Sequence, residues 1–325
     1  MKMLKKILVL ALVATFMLAI TACGNTIDKD TYTVGICQLL PHPALDAATK
    51  GFMESLQAEL GEENVTFLNE NAGNEINVCT TIITNLINKK VDLIMANATP
   101  ALTAAVNGTD TIPVLGTSIT EYGTALGIDD FNGLVGSNVS GTSDLAPLDQ
   151  QAQMIIDIVP TAKTVGIIYC SAEANSAYQV KVVKEELEAK NITVKTYAFA
   201  DSNEISTITQ KAASECDALY VPTDNQAATA ATTIYGAMAN NLKPLIAGEE
   251  ATCKGCGVAT LTISYYDLGY ATGKMAVKIL KGEEKIENMN IEYAATFTKK
   301  YNAAICAELG IDTAALEAAG YIAIQ

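Results

Sequence analysis

Short β-branched runs alternate with helical runs along nearly the whole chain, and this alternation limits the possible folds more than any other feature. Apolar strands separated by amphipathic helices specify a parallel sheet covered by helices. In the first half, strands are predicted at 33–39, 65–69, 91–96, 112–116 and 134–139, with helices at 44–60, 74–89 and 99–107. Phe52, Leu56 and Leu60 recur at i, i+4, i+8 and mark the buried face of the first helix. The second half repeats the series, with strands at 164–169, 193–199, 217–222, 244–248 and 258–263. Its helix at 176–190 carries Val180, Val183 and Leu187 on one face.

The two halves match beyond element type. Val34-Gly35-Ile36 parallels Val165-Gly166-Ile167, and Val91-Asp92-Leu93 parallels Cys216-Asp217-Ala218. Pro113-Val114-Leu115-Gly116 stands near the position of Pro244-Leu245-Ile246-Ala247-Gly248. The expected fold class is α/β, with two Rossmann-like lobes of parallel sheet and one topology. Past Ile263, an amphipathic helix from Tyr265 to Leu280, a charged turn and a strand-like stretch at 290–297 exceed what the second lobe needs. The chain is therefore expected to return to the first lobe and cross back. This assigns 32–143 plus 264–288 to the N-terminal lobe and 144–263 plus 289–325 to the C-terminal lobe, with linkers near 141–145, 263 and 289. A three-segment hinge lets two rigid lobes close on each other.

Open parallel sheets bind ligands beyond the carboxyl ends of their strands. The predicted tips carry Gln38 to Pro43, Asn97 to Pro100, Gly116 to Ser118, Ser140 to Asp144, Ser171 to Ser176, Pro222 to Asn225 and Gly248 to Glu250. Nearly all are hydroxyl, amide or carboxylate residues, which suits a small polar solute held by many hydrogen bonds. The same residue types cap helices, and for any one of them that role has equal weight. Asp224 sits near a helix start and either caps it or pairs with a ligand ammonium. The loop from Glu173 through Asn175 to Ser176 opens a helix, whose free N–H groups favour an anion. Thr99, Thr117 and Ser118 offer hydroxyl donors. His42, the only histidine, is flanked by prolines and either walls the cleft or is a plain loop residue. An ammonium site facing a carboxylate site describes an amino-acid zwitterion.

Residues 1–22 read as a secretory signal, with lysines before an apolar run from Ile7 to Ile20 that is short for a membrane span of ~20 residues. Ile20-Thr21-Ala22-Cys23 resembles a bacterial lipobox, which implies a diacylated Cys23 at the new N-terminus and a polar tether over 23–31. The expected location is the outer face of the cytoplasmic membrane. About 300 residues remain, enough for two domains of ~150 each. The net charge is −15, and the signal holds lysines but no acids, so the rest is more acidic still. That field argues against nucleic-acid partners. Every basic residue besides His42 is Lys, so no guanidinium fork is present to hold an anion.

Besides Cys23 there are seven cysteines, an odd number that cannot all pair internally. Cys37 and Cys170 lie in apolar strand runs, where a thiol packs as a small hydrophobe. Cys253-Lys254-Gly255-Cys256 is a lone CxxC, placed by its glycines in a loop. A local disulfide or two free thiols is favoured over a redox role. With one histidine and no second CxxC, no metal site is expected, nor any cofactor. The sequence has no GxSxG, HExxH or phosphate-loop motif. A hydrolase using Glu173, Asp224 or Glu249 as acid and base is therefore unsupported.

The stretches QLLPHPALDAATKGF, ANATPAL, GTSIT, NVSGTSDLAP, TVGIIYCSAEANS, YVPTDN and LGYATGKMA resemble the ABC-transporter substrate-binding family that includes the tryptophan-binding TrpX type. The similarity spans roughly residues 32–310. It implies the type I periplasmic-binding fold, a monomeric receptor, permease and ATPase partners, and an aromatic amino acid as ligand. It places ligand contacts at Thr99, at Glu173, Asn175 and Ser176, and at Asp224 and Asn225, and Glu249 joins them as a tip residue. A receptor of the same fold for a sugar, nucleoside or peptide is the alternative. The absence of Trp counts mildly against a sugar, since sugar sites stack on aromatic rings.

Overall fold

The computed structural model describes residues 31–325; the signal, the tether and Cys23 lie outside the described residues. The chain opens with β1 (Tyr32–Gln38), α1 (Pro43–Leu60), β2 (Val65–Asn71), α2 (Ile76–Asn88), β3 (Leu93–Asn97), α3 (Thr99–Gly108), β4 (Val114–Ile119), α4 (Tyr122–Leu126) and β5 (Val139–Ser143). It continues with α5 (Leu148–Ile158), β6 (Thr164–Cys170), α6 (Ala174–Ala189), β7 (Thr193–Phe199), α7 (Ile205–Glu215), β8 (Ala218–Val221), α8 (Asn225–Thr229), α9 (Ala231–Ala237), β9 (Leu245–Ala247), α10 (Glu250–Cys256) and β10 (Ala259–Thr262). Last come α11 (Tyr265–Leu280), β11 (Glu292–Tyr293), β12 (Thr298–Tyr301), α12 (Ala303–Leu309), α13 (Thr313–Ala318) and β13 (Ile322–Ala323).

Two sheets result, ordered β11-β5-β4-β3-β1-β2 and β13-β12-β10-β9-β8-β6-β7. Every pair is parallel except β10–β12. Stripped of its late additions, each sheet has the 2-1-3-4-5 order, so the strand order reverses beside β1 and beside β6. The repeat seen in sequence is physical. Gly35 and Gly166 occupy equivalent places in β1 and β6, where an added Cβ would meet Leu86 at 2.8 Å and Leu219 at 2.9 Å. Asp92 accepts a hydrogen bond from the Thr33 N–H at 2.7 Å, and Asp217 accepts from the Thr164 N–H at 2.9 Å. Each carboxylate thus fastens the start of its lobe's first strand.

Val34, Ile36, Phe52, Leu56, Leu93 and Leu115 are fully buried beneath α1 and α11, as the helical spacing requires. In the second lobe, Val183 and Leu187 of α6 pack on Val165 and Ile167. Such side chains each contribute ~1.5–3 kcal/mol of burial. Among the described residues, no helix is long and apolar enough to cross a membrane.

The chain passes between the sheets three times, at 144–147, at 263–264 and at 294–297. The third passage comes later than residue 289, because Glu292 and Tyr293 first pair with Thr142 and Ser143 of β5. The predicted strand at 134–139 is also displaced. Gly133 and Gly136 take left-handed φ values of 97° and 73°, and Leu134 makes only an isolated bridge to Asn290. The strand itself is the Ser/Gly/Thr-rich 139–143, whose buried hydroxyls are satisfied locally. Ser140 donates to the Met289 carbonyl at 2.9 Å, and Thr142 meets Thr272 of α11 at 2.8 Å. The CxxC lies in helix α10 rather than in a loop, and both thiols are buried and free.

Candidate functional site

The carboxyl ends of the two sheets face each other across a small cavity whose free space is about 10 Å³, room for one water molecule. His42, Leu45, Ser118, Thr120, Asp144 and Tyr265 line it from one side. Asn175, Thr223, Asp224, Asn225, Ala228 and Glu249 line it from the other. His42 Nε2 lies 3.4 Å from Asn225 Oδ1, which bridges the lobes directly. A roomier groove of about 520 Å³ runs along α1 and β2 on the first lobe, but Gln38, Asp46 and Thr49 within it already bond one another.

Of the tip residues, His42, Ser118, Asn175, Asp224, Asn225 and Glu249 reach the cavity. Thr99, Thr117, Glu173 and Ser176 are buried beside it without lining it. Thr117 faces Thr142 at 3.3 Å inside the first sheet. Thr99 begins α3 behind Ala98, whose φ of 87° is strained for a residue with a side chain.

The carboxylates divide sharply by what they bond. Asp224 accepts from the Ala227 N–H at 2.9 Å and the Cys170 N–H at 2.6 Å, so it caps α8 and ties it to β6. Glu249 caps α10 through the N–H groups of Ala251 and Thr252 and the Thr252 hydroxyl. Glu173 accepts from Asn175 Nδ2 at 3.1 Å, the Asn225 N–H at 3.1 Å, Asn225 Nδ2 at 2.7 Å and the Gln226 N–H at 3.0 Å. The loop at 173–176 was expected to hold a ligand anion at its helix start. Instead the Glu173 carboxyl itself accepts from the N–H groups at the start of α8. Burial, and next the nearby Asp224, push the Glu173 carboxyl up to about 7. Burial also raises Asp224.

Asp144 is different. It follows β5, before the extended Leu145-Ala146-Pro147, and its carboxylate caps no helix. Its Oδ2 accepts from the Tyr265 hydroxyl at 2.9 Å, while its buried Oδ1 has no partner in the protein. Burial pushes its carboxyl up to about 6, against the downward pull of the Tyr265 and Thr120 hydroxyls. Three more buried cavity atoms share this state: His42 Nδ1, Ser118 Oγ and Asn175 Oδ1. Ser118 sits where the β4–β5 register shifts and has a left-handed φ of 55°, a strained bulge that aims its side chain off the sheet. Burial lowers His42 and so favours a neutral ring, although Glu249 and Asn225 oppose this. No lysine lines the cavity. Sequence reading placed Asp144 at a strand tip without giving it a role, and took Tyr265 only as the first residue of a helix.

Two like-built lobes joined by three strands, with polar strand tips facing across a cleft, make this a solute-binding protein with the type I periplasmic-binding fold. Residues 33–317 match the family described as ABC transporter substrate binding protein, and the chain belongs to it. A curated relative, the tyrosine-binding protein of Clostridioides difficile (strain R20291), is 33% identical over 261 residues, covering 80% of this chain and 75% of the relative. A Streptococcus pneumoniae protein solved in complex with L-Trp is 32% identical and aligns with a TM-score of 0.83 over 90% of this chain and 100% of the other. The ligand-free, open structure of a Clostridium difficile substrate-binding protein with adhesive properties is 33% identical over 91% of this chain and 100% of that one, but its TM-score is 0.70. At matched identity and coverage, the aligned residues thus superpose more closely on the tryptophan complex than on the open form.

Proposed function

We propose that this protein is the extracytoplasmic receptor of an ABC importer, held to the membrane by an acylated Cys23, and that it captures an aromatic amino acid by closing its lobes. The observation that carries this reading is the set of buried, unpartnered atoms meeting in one inter-lobe cavity: Asp144 Oδ1, Ser118 Oγ, His42 Nδ1 and Asn175 Oδ1. Buried polar groups are normally paired, and an orphaned one costs ~1–3 kcal/mol. Four at one place are the imprint of a hydrogen-bonding guest.

Asp144 offers an acceptor for an ammonium group. The Ser118 hydroxyl offers a donor for a carboxylate, whereas a neutral His42 directs its Nε2–H at Asn225 Oδ1 and keeps Nδ1 as a second acceptor. With neither arginine nor lysine in its lining, the cavity has hydroxyl and amide donors for that purpose. Leu45, Ala228 and the Tyr265 ring supply the apolar wall for a side chain. The relatives that bind tyrosine and tryptophan support the aromatic choice. Closure around the solute would create the surface that the permease and ATPase complex reads. Titration calorimetry of the mature protein with the twenty amino acids tests the proposal. Saturable heat is expected from tyrosine, tryptophan or phenylalanine, and silence from all three would refute the aromatic assignment.

A further inference from the structure

Asp144 and Tyr265 hold unusual places in the chain. Asp144 begins the first passage between the lobes, directly after β5. Tyr265 follows the second passage and opens α11, which packs back on the first lobe. Their 2.9 Å hydrogen bond therefore ties two of the three hinge strands together at the wall of the cavity. Thr223, a strand-tip residue of the opposite lobe, lines the same cavity as Tyr265. The pair is buried, with Asp144 4% and Tyr265 8% exposed. The other carboxylates lining the cavity are already bonded to helix N–H groups, whereas Asp144 keeps one oxygen open to the cavity.

We propose that the Asp144–Tyr265 pair is the hinge clasp through which the charge of the ligand controls lobe closure, so that the receptor closes fully only on a guest carrying an ammonium group. The clasp rests on the amino-acid reading above and names the residue that selects the charged class. Closing the lobes strips water from Asp144, and the closed cleft returns no cation of its own. A ligand ammonium on Oδ1 supplies the missing countercharge at the hinge itself. A neutral or purely anionic molecule of the same shape leaves that carboxylate buried and unmatched, which disfavours closure. A proton can substitute. The titratable groups facing Asp144 are Tyr265 from α11, Tyr122 from α4 and Glu249 from the start of α10. His42, from the start of α1, lines the same cavity, and burial holds its ring neutral; none of these groups brings a positive charge to Asp144, so protonating Asp144 favours the closed, ligand-free form.

The test uses mature protein, calorimetry and small-angle scattering. L-Tyrosine and L-tryptophan are compared with 3-(4-hydroxyphenyl)propionate and indole-3-propionate, which lack only the ammonium. Wild type should bind the amino acids at least about 100-fold more tightly than these analogues. Asp144→Asn should lose most of that discrimination while binding the analogues at least as well as wild type does. Tyr265→Phe should weaken both classes by a similar factor of about 10 and keep the discrimination. In ligand-free samples at pH 8, Asp144→Asn should have a smaller radius of gyration than wild type, and wild type should contract between pH 8 and pH 5. Full discrimination retained in Asp144→Asn would overturn the clasp. If no aromatic amino acid binds, the functional reading fails separately and scattering decides. Equal radii for Asp144→Asn and wild type at pH 8, with no contraction of wild type in acid, would then rule the clasp out.

Discussion

Replacing Gly269 by alanine tests how α11 is held against α1, and through it how Tyr265 is placed. The two helices cross at Gly51, Gly269 and Gly273, so closely that backbone meets backbone. A methyl group at Gly269 would lie 2.6 Å from the carbonyl carbon of Ala48 and 2.7 Å from its Cα, with the carbonyl oxygen nearer still. Ordinary contact begins near 3.4 Å, so the helices must part by roughly 1 Å. No rotamer change relieves a clash with main chain, which places the substitution at the upper end of the ~1–3 kcal/mol range for overpacking. Alanine returns up to ~1 kcal/mol through its helix propensity. The net loss is about 2 kcal/mol, or a midpoint lower by about 3 °C in a protein of this size. The control is Gly236→Ala in α9, where an added Cβ meets nothing within 4 Å and the same propensity gain should raise the midpoint slightly. Thermal unfolding followed by circular dichroism reads both. A Gly269→Ala midpoint at or above that of wild type would refute the close-crossing argument, and with it the idea that these glycines set the position of Tyr265.

Glu173 makes stability depend on pH. Its carboxyl is raised from 4.5 to about 7, so the folded state holds a proton that the unfolded chain has released. Its contribution is complete below pH ~4.5 and is lost as pH rises through about 7, by about 3 kcal/mol in all. Glu173→Gln mimics the protonated acid. It should therefore match wild type near pH 5, gain on it by pH 8 and flatten the slope in urea melts, whereas an unchanged slope would exclude Glu173 as the source. The cysteines give a simpler check. All seven in the described region are free and buried, so Ellman's reagent should titrate seven thiols in guanidinium and almost none in the native protein. A count of five would reveal a disulfide.

The architecture was legible because its signals are collective. Alternation of apolar runs, the helical faces at Phe52 and Leu56 and at Val183 and Leu187, and the doubled Gly35/Gly166 and Asp92/Asp217 positions all serve one repeated topology. Elements were misplaced where local composition departs from what burial requires. β5 is Val-Ser-Gly-Thr-Ser, poor by strand propensity, and is held by hydroxyl bonds to segments 130 and more residues away. No local window contains those partners. The preceding Leu134-Val135 looked more strand-like, yet its flanking glycines turn the chain. The CxxC helix was hidden by Gly255, which lies against Ala231 of α9. Tertiary packing outweighed the local penalty of ~1 kcal/mol for glycine in a helix.

The site was half legible for a more specific reason. Residue type shows that a strand tip is polar, but not whether its polar atoms are already taken. Asp224 and Glu249 each stand immediately before a helix, so that helix's N–H groups take up their charge whether or not a ligand arrives. Asp144 is followed by extended chain ending in a proline, and the next helix starts at Leu148. It caps no helix, and folding answers its charge only with hydroxyls, leaving Oδ1 without a partner. An acid at a strand tip that precedes a helix is most simply a cap, whereas an acid at a tip that leads into extended chain needs a partner from elsewhere. Applied to this chain, that distinction is the reason the proposed ammonium site is Asp144, where the hinge begins, and not Asp224, the residue that looked most suited to it.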